Sequence, residues 1–96
     1  MTDHTARLAE FRDRIDSLDG ILLHTLGERF RITNQVGHLK AEAGLPAFDP
    51  DREAAQRARF HEIAREVGLP SELVEQLMAM IIDQVKLNHE KIRGEL

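Results

Sequence analysis

The sequence predicts an all-α chain of three helices, the first of them very long, and three observations carry that prediction. Apolar residues recur at steps of three and four, and no stretch alternates in the manner of a strand. Helix-breaking signals cluster at two places only, Gly44-Leu45-Pro46 with Pro50, and Gly68 with Pro70. Between Thr5 and Glu42 there is no proline at all.

The first helix is expected from about Thr5 to Glu42. Leu8, Phe11, Ile15, Leu18 and Leu22 step alternately by three and four, which is the seam of a packed helix. Gly20, Gly27 and Gly37 weaken it without breaking it. The second helix is expected from Pro50 to about Val67. Asp49 is its N-cap, Pro50 sits at the first helical position, and Gly68 ends it. The third is capped by Leu69 or Ser71, carries Leu73, Leu77, Met80, Ile81 and Leu87, and frays near Gly94. There is no low-complexity stretch and no internal repeat.

Length has a consequence for assembly. A helix of roughly 38 residues is about 57 Å long, whereas a compact chain of this size has a radius of gyration near ~13 Å. Two shorter helices are too short to cover such a stripe, so a second copy is expected, giving an intertwined homodimer helical bundle with two-fold symmetry. A kink near Gly20 or Gly27, folding the chain into a monomeric four-helix bundle, is the alternative.

Composition narrows the function classes. The 96 residues, 42% hydrophobic and 31% charged, suit one soluble domain spanning 1–96. The absence of cysteine leaves no disulfide framework and no thiolate metal site. "MTDHTARLAEF" has no apolar signal core and no run is long enough to span a bilayer, so a cytoplasmic location and no membrane partner are expected. A net charge of −4, scattered basic residues and four aromatics, all Phe, argue against a nucleic-acid partner. His4, His24, His38 and His61 show no metal-ligand spacing.

Cations on the first helix suggest a local anion site. Arg29 and Lys40 are eleven residues apart, so at ~100° per residue they differ by only about 20° around the axis. The Cα–Cβ vector of Lys40 leans toward the N-terminus, closing a bay between the two. Arg12 lies roughly 25 Å from Arg29 along the helix and is too far to serve the same bay. In an antiparallel dimer, Arg12 of the partner chain could reach it, giving two composite sites. Taken singly, all three remain ordinary solvated helix charges. A further constellation opens the second helix, where Arg52 stands in a first turn whose dipole disfavours a cation, flanked on one face by Asp49 and Glu53.

In order and spacing, Arg12, Ile15, Asp16, Asp19, Leu22, Arg29, Val36-Gly37, Lys40, Asp49, Arg52 and Glu53 resemble the all-helical chorismate mutase family. "LAEFRDRIDSLDGILLHTLGERF" resembles the first half-helix of that family, "VGHLK" its lysine segment, and "GLPAFDPDRE" its loop and second helix start. The resemblance implies conversion of chorismate to prephenate by a [3,3] rearrangement, with no covalent intermediate, metal or cofactor. Such a reaction needs the dianionic substrate folded into its reactive conformer and donors placed at the ether oxygen, where negative charge develops. By resemblance, Arg29 and the Arg12 of the partner chain hold carboxylates, and Lys40 holds a carboxylate and donates to the ether oxygen. Asp49, Arg52 and Glu53 form the wall that meets the ring hydroxyl. Asp49 could equally serve only as a cap.

On the third helix the chain departs from the best-known members. The apolar pattern of 78–90 places Val85 and His89 where those members carry a small polar residue and a glutamine. Val85 can neither donate nor accept, whereas His89 could replace the glutamine as donor to the ether oxygen. His89 could otherwise be a half-exposed residue near a fraying end. Three functions stay open: a free-standing chorismate mutase; a sister enzyme acting on isochorismate (a pyruvate lyase) or on 4-amino-4-deoxychorismate (a mutase); and an inactive helical dimerisation module.

Overall fold

A computed structural model describes residues 3–94. They form α1 (His4–Glu42), α2 (Pro50–Val67) and α3 (Ser71–Gly94), with no strand among them. The chain divides into two compact units, Met1–Ile32 and Thr33–Leu96.

The Met1–Ile32 unit is helical from His4 onward, one residue earlier than expected, because Asp3 caps it. The Asp3 carboxylate accepts from the backbone N–H groups of Thr5 (3.0 Å) and Ala6 (3.2 Å), and its carbonyl accepts from Arg7. No break occurs at Gly20 or Gly27. The expected seam is present but uncovered within the chain: Leu8, Phe11, Ile15, Leu18 and Leu22 are all 45% exposed or more. So large an apolar stripe left in water is unusual for a self-sufficient fold.

The Thr33–Leu96 unit holds the end of α1 together with α2 and α3. Gly44 (φ 68°) closes α1 in the left-handed region, and the Leu45 N–H reaches back to the Lys40 carbonyl at 2.8 Å. α2 starts and ends as its sequence dictates. The Asp49 carboxylate accepts from the Arg52 N–H at 3.1 Å, Pro50 opens the first turn, and Gly68 (φ 77°) terminates the helix. α3 differs from expectation at its start: Ser71 is already helical, and the Pro70 carbonyl, rather than a side chain of Leu69 or Ser71, receives the first bond, from Val74.

The core of this unit is small. Ala64 of α2 and Val74, Met78, Ile81, His89 and Ile92 of α3 are buried, as is Gly37 of α1. Of the apolar residues expected to pack on α3, only Ile81 is buried; Leu73, Met80 and Leu87 are about half exposed or more, and Leu77 is 37% exposed. α3 is apolar on two faces, and α2 and the end of α1 cover the face of Val74, Met78 and Ile92. An ionic clasp also joins α2 to α3. His61 donates through Nε2 to Glu75 at 2.5 Å, and Arg57 donates to the other oxygen of that carboxylate at 3.3 Å. His61, which suggested no metal site, therefore has a structural partner.

Candidate functional site

Three segments converge around the 43–49 loop. The last turns of α1 bring Lys40, the first turn of α2 brings Arg52 and Glu53, and one face of α3 brings Ile82, Lys86, His89 and Arg93. The loop itself supplies Ala47, Phe48 and the capping Asp49. The Arg93 guanidinium donates to the Leu45 carbonyl, which ties the loop to the end of α3.

Two cavities lie there. The smaller, about 100 Å³, is lined by Lys40 from α1, Asp49, Arg52 and Glu53 from the start of α2, and Ile82 and Lys86 from α3. The larger, about 270 Å³, is lined by Ala47, Phe48, Lys86, His89, Glu90 and Arg93. Phe48 and Lys86 face both, with the Lys86 ammonium 4.7 Å from the centre of the Phe48 ring.

Four of the residues singled out from the sequence thus meet around one cavity: Lys40, Asp49, Arg52 and Glu53. Lys40 is half-buried, and among the described residues its ammonium makes one long bond, of 3.4 Å to the Ala47 carbonyl, so it can turn to a ligand at little cost. Asp49 caps α2 and lines the cavity at once. Glu53 and Arg52 sit in the same turn, where Asp51 and Glu53 offset the dipole's opposition to the arginine. Arg12, exposed, and Arg29, half-buried, belong to the Met1–Ile32 unit.

His89 is buried at 6% exposure and is not the half-exposed residue of a fraying end. Its Nε2 donates to the Thr33 carbonyl at 2.9 Å. A carbonyl only accepts, so Nε2 carries a proton and Nδ1 is the ring atom left to respond to a ligand. Gly37 makes this approach possible, since a Cβ there would lie 2.6 Å from His89 Cδ2 and 3.0 Å from Ile92 Cδ1. Val85 is half-buried and lines neither cavity. The face that does so runs Ile82, Lys86, His89, Arg93, a four-three-four spacing along one side of α3. Phe48 and Lys86 had no sequence signal of their own.

Among the described residues, no group of three or more His, Asp or Glu side chains is placed to hold a metal ion, and no helix is long and apolar enough to cross a membrane.

The family model for chorismate mutase type II matches residues 11–90. The chain is 36% identical over 77 residues to the T-protein of Enterobacter agglomerans, covering 80% of this chain but only 21% of that protein. It is 29% identical over 85 residues to a chorismate mutase of Methanocaldococcus jannaschii, covering 88% of this chain and 81% of the relative. To an isochorismate pyruvate lyase of Pseudomonas aeruginosa it is 40% identical over 79 residues, covering 78% of this chain and 73% of the relative. With the family pattern running through both units, from the first turns of α1 to the cavity face of α3, the chain belongs to the chorismate mutase type II family.

Proposed function

We infer that this chain is a chorismate mutase, acting as a homodimer on chorismate. The observation that carries the reading is the smaller cavity, where the ammonium of Lys40 and the guanidinium of Arg52 face the carboxylates of Asp49 and Glu53. There Lys40 and Arg52 offer cations to a polyanionic ligand, and Asp49 and Glu53 offer acceptors to its ring hydroxyl. In the rearrangement the ether C–O bond breaks as a C–C bond forms between the ends of the two allylic arms, with no proton transferred and no group lost. The protein has only to hold the folded conformer and meet the charge that grows on the ether oxygen.

Lys40 donates to that oxygen and to a carboxylate, and Arg29 with the Arg12 of a partner chain holds the carboxylates. Asp49 and Glu53 accept from the ring hydroxyl, with Arg52 holding their charges in place. His89 is the second donor to the ether oxygen, through Nδ1; Val85, which lines neither cavity, takes no part in this reading. The exposed seam of α1 supports the dimer, because two copies packed along it would remove Leu8, Phe11, Ile15, Leu18 and Leu22 from water together. The identity to an isochorismate pyruvate lyase keeps one second reading in view, elimination of pyruvate from isochorismate on the same scaffold.

Chorismate, isochorismate and 4-amino-4-deoxychorismate, offered in parallel with substrate loss and products followed, test the reading. Prephenate from chorismate as the fastest reaction is expected. Pyruvate from isochorismate with chorismate untouched would replace the mutase by the lyase, and turnover of none would leave a helical dimerisation module. Site sharing has its own test. Arg12→Ala and Arg29→Ala should each be nearly inactive, and random mixing should restore about a quarter of wild-type activity, since about half the dimers are mixed and each carries one intact site. Subunit exchange without recovery would remove Arg12 from the partner's site.

A further inference from the structure

Lys86 has no task in the reaction as assigned, yet it faces both cavities. Among the described residues no carboxylate pairs with it; its one partner is the face of Phe48. The side chain is exposed, so its ammonium can leave the ring without disturbing the core.

The charges around it define its effect. In the smaller cavity Lys40, Arg52 and Lys86 face Asp49 and Glu53; in the larger, Lys86 and Arg93 face Glu90. The smaller cavity therefore carries one cation in excess and the larger at least one, and without Lys86 the smaller would be balanced. The chain as a whole has a net charge of −4, so this local surplus runs against the protein's own field. Arg93 is tied to the Leu45 carbonyl and the His89 ring to the Thr33 carbonyl, whereas the Lys86 ammonium makes no hydrogen bond among the described residues.

We propose that Lys86 is a substrate-binding residue: its ammonium rests on Phe48 in the free protein and moves to a carboxylate of the dianionic substrate on binding. The assignment rests on the substrate class inferred above. A carboxylate is a carboxylate in both ground and transition states, so this contact is uniform binding, which lowers KM and leaves kcat nearly untouched.

Steady-state kinetics with chorismate for wild type, Lys86→Met and Lys86→Arg test it. Methionine keeps the length of the stem and removes the charge; it should raise KM by about 10- to 100-fold with kcat within about threefold, the scale of one charge-assisted bond. Arginine should restore most of the affinity. Raising ionic strength should weaken substrate binding to wild type more steeply than to Lys86→Met. Circular dichroism melting should coincide for all three proteins, because an exposed side chain is replaced.

Calorimetric titration of a non-reacting bicyclic ether dicarboxylate separates this idea from the mutase reading. Chorismate turnover with KM and dicarboxylate affinity both unchanged in Lys86→Met would overturn the role of Lys86 and leave the mutase standing. Dicarboxylate binding that depends on Lys86, in a protein that turns over none of the three substrates, would uphold Lys86 and sink the mutase. Failure of wild type to bind the dicarboxylate at all would overturn both.

Discussion

Replacing Gly37 by alanine sets two opposing effects against each other, and the structure decides the sign. Gly37 lies in the interior of α1, where alanine is the better helix former by about 0.8–1.0 kcal/mol. On propensity alone the variant gains that amount. The added Cβ, however, would stand 2.6 Å from His89 Cδ2, 3.0 Å from His89 Nε2 and 3.0 Å from Ile92 Cδ1. None of these neighbours is the loose end of a flexible chain. His89 and Ile92 are buried, at 6% and 7% exposure, and the imidazole is held by its bond to the Thr33 carbonyl. Forcing a methyl into such a contact costs about 1–3 kcal/mol, and displacing the ring also weakens a hydrogen bond worth about 1 kcal/mol net. The expected balance is a loss of about 1–3 kcal/mol.

Urea denaturation at one fixed protein concentration measures it, with the concentration fixed because dissociation would couple to unfolding. His89→Ala supplies the control. With the ring gone, alanine at 37 should no longer clash with it, so the double variant should be less destabilised than the two single changes predict. A Gly37→Ala protein more stable than wild type by about 1 kcal/mol, the bare propensity gain, would refute the close approach of α3 to α1 at this point.

Two further outcomes follow from ionisable groups. The Glu75 carboxyl is held below its ordinary value of 4.5, first by the His61 hydrogen bond and then by Arg57, so its contribution is present above the ordinary carboxylate range and is lost as pH falls through the lowered value. Glu75→Gln should therefore lose stability less steeply than wild type on acidification below 4.5, read from urea midpoints across pH; parallel curves would mean that the clasp contributes nothing. Because Nε2 of His89 is spent on Thr33, Nδ1 donates to a ligand only when the imidazole is charged. His89→Gln, which keeps a donor at that position, should therefore retain substantial turnover, whereas His89→Ala should lose about 100-fold, the scale of one lost oxyanion donor; near-wild-type turnover in His89→Ala would take His89 out of the reaction.

Much of the fold was legible because its boundaries are written in local chemistry. Asp49-Pro50 and Gly68 fixed α2 to the residue, since a cap and a left-handed glycine act within one turn of themselves. Asp3 is also a local cap, but it precedes a stretch with few apolar residues, so the helix start was placed one residue late. The buried face of α3 was harder. Its sequence is apolar on both sides, and periodicity states that a helix has a stripe without stating which stripe meets α2. The Asp49, Arg52 and Glu53 group was legible from its spacing, because one helical turn guarantees their proximity. Lys86 was not. Its significance comes from Phe48, which reaches it across the loop, and no spacing within a helix announces a contact between segments 38 residues apart.

The residues that end and join helices here are also residues that line or support the two cavities. Asp49 commits one carboxylate oxygen to the Arg52 N–H, which starts α2, and its second oxygen stays available to the cavity that Asp49 lines. The capping bond also fixes the backbone of Arg52, so the direction in which that guanidinium leaves the helix is set by the same contact that begins the helix. Gly37 behaves alike on α1: the missing side chain that lets α3 approach also seats the imidazole whose remaining nitrogen can answer a ligand. A first-turn arginine is unfavourable to the α2 dipole by itself, but with Asp49, Asp51 and Glu53 around it the turn is net acidic. The arginine therefore costs the helix little where it stands, and the carboxylates that offset it are the acceptors a hydroxylated dianion would need beside its cationic anchors.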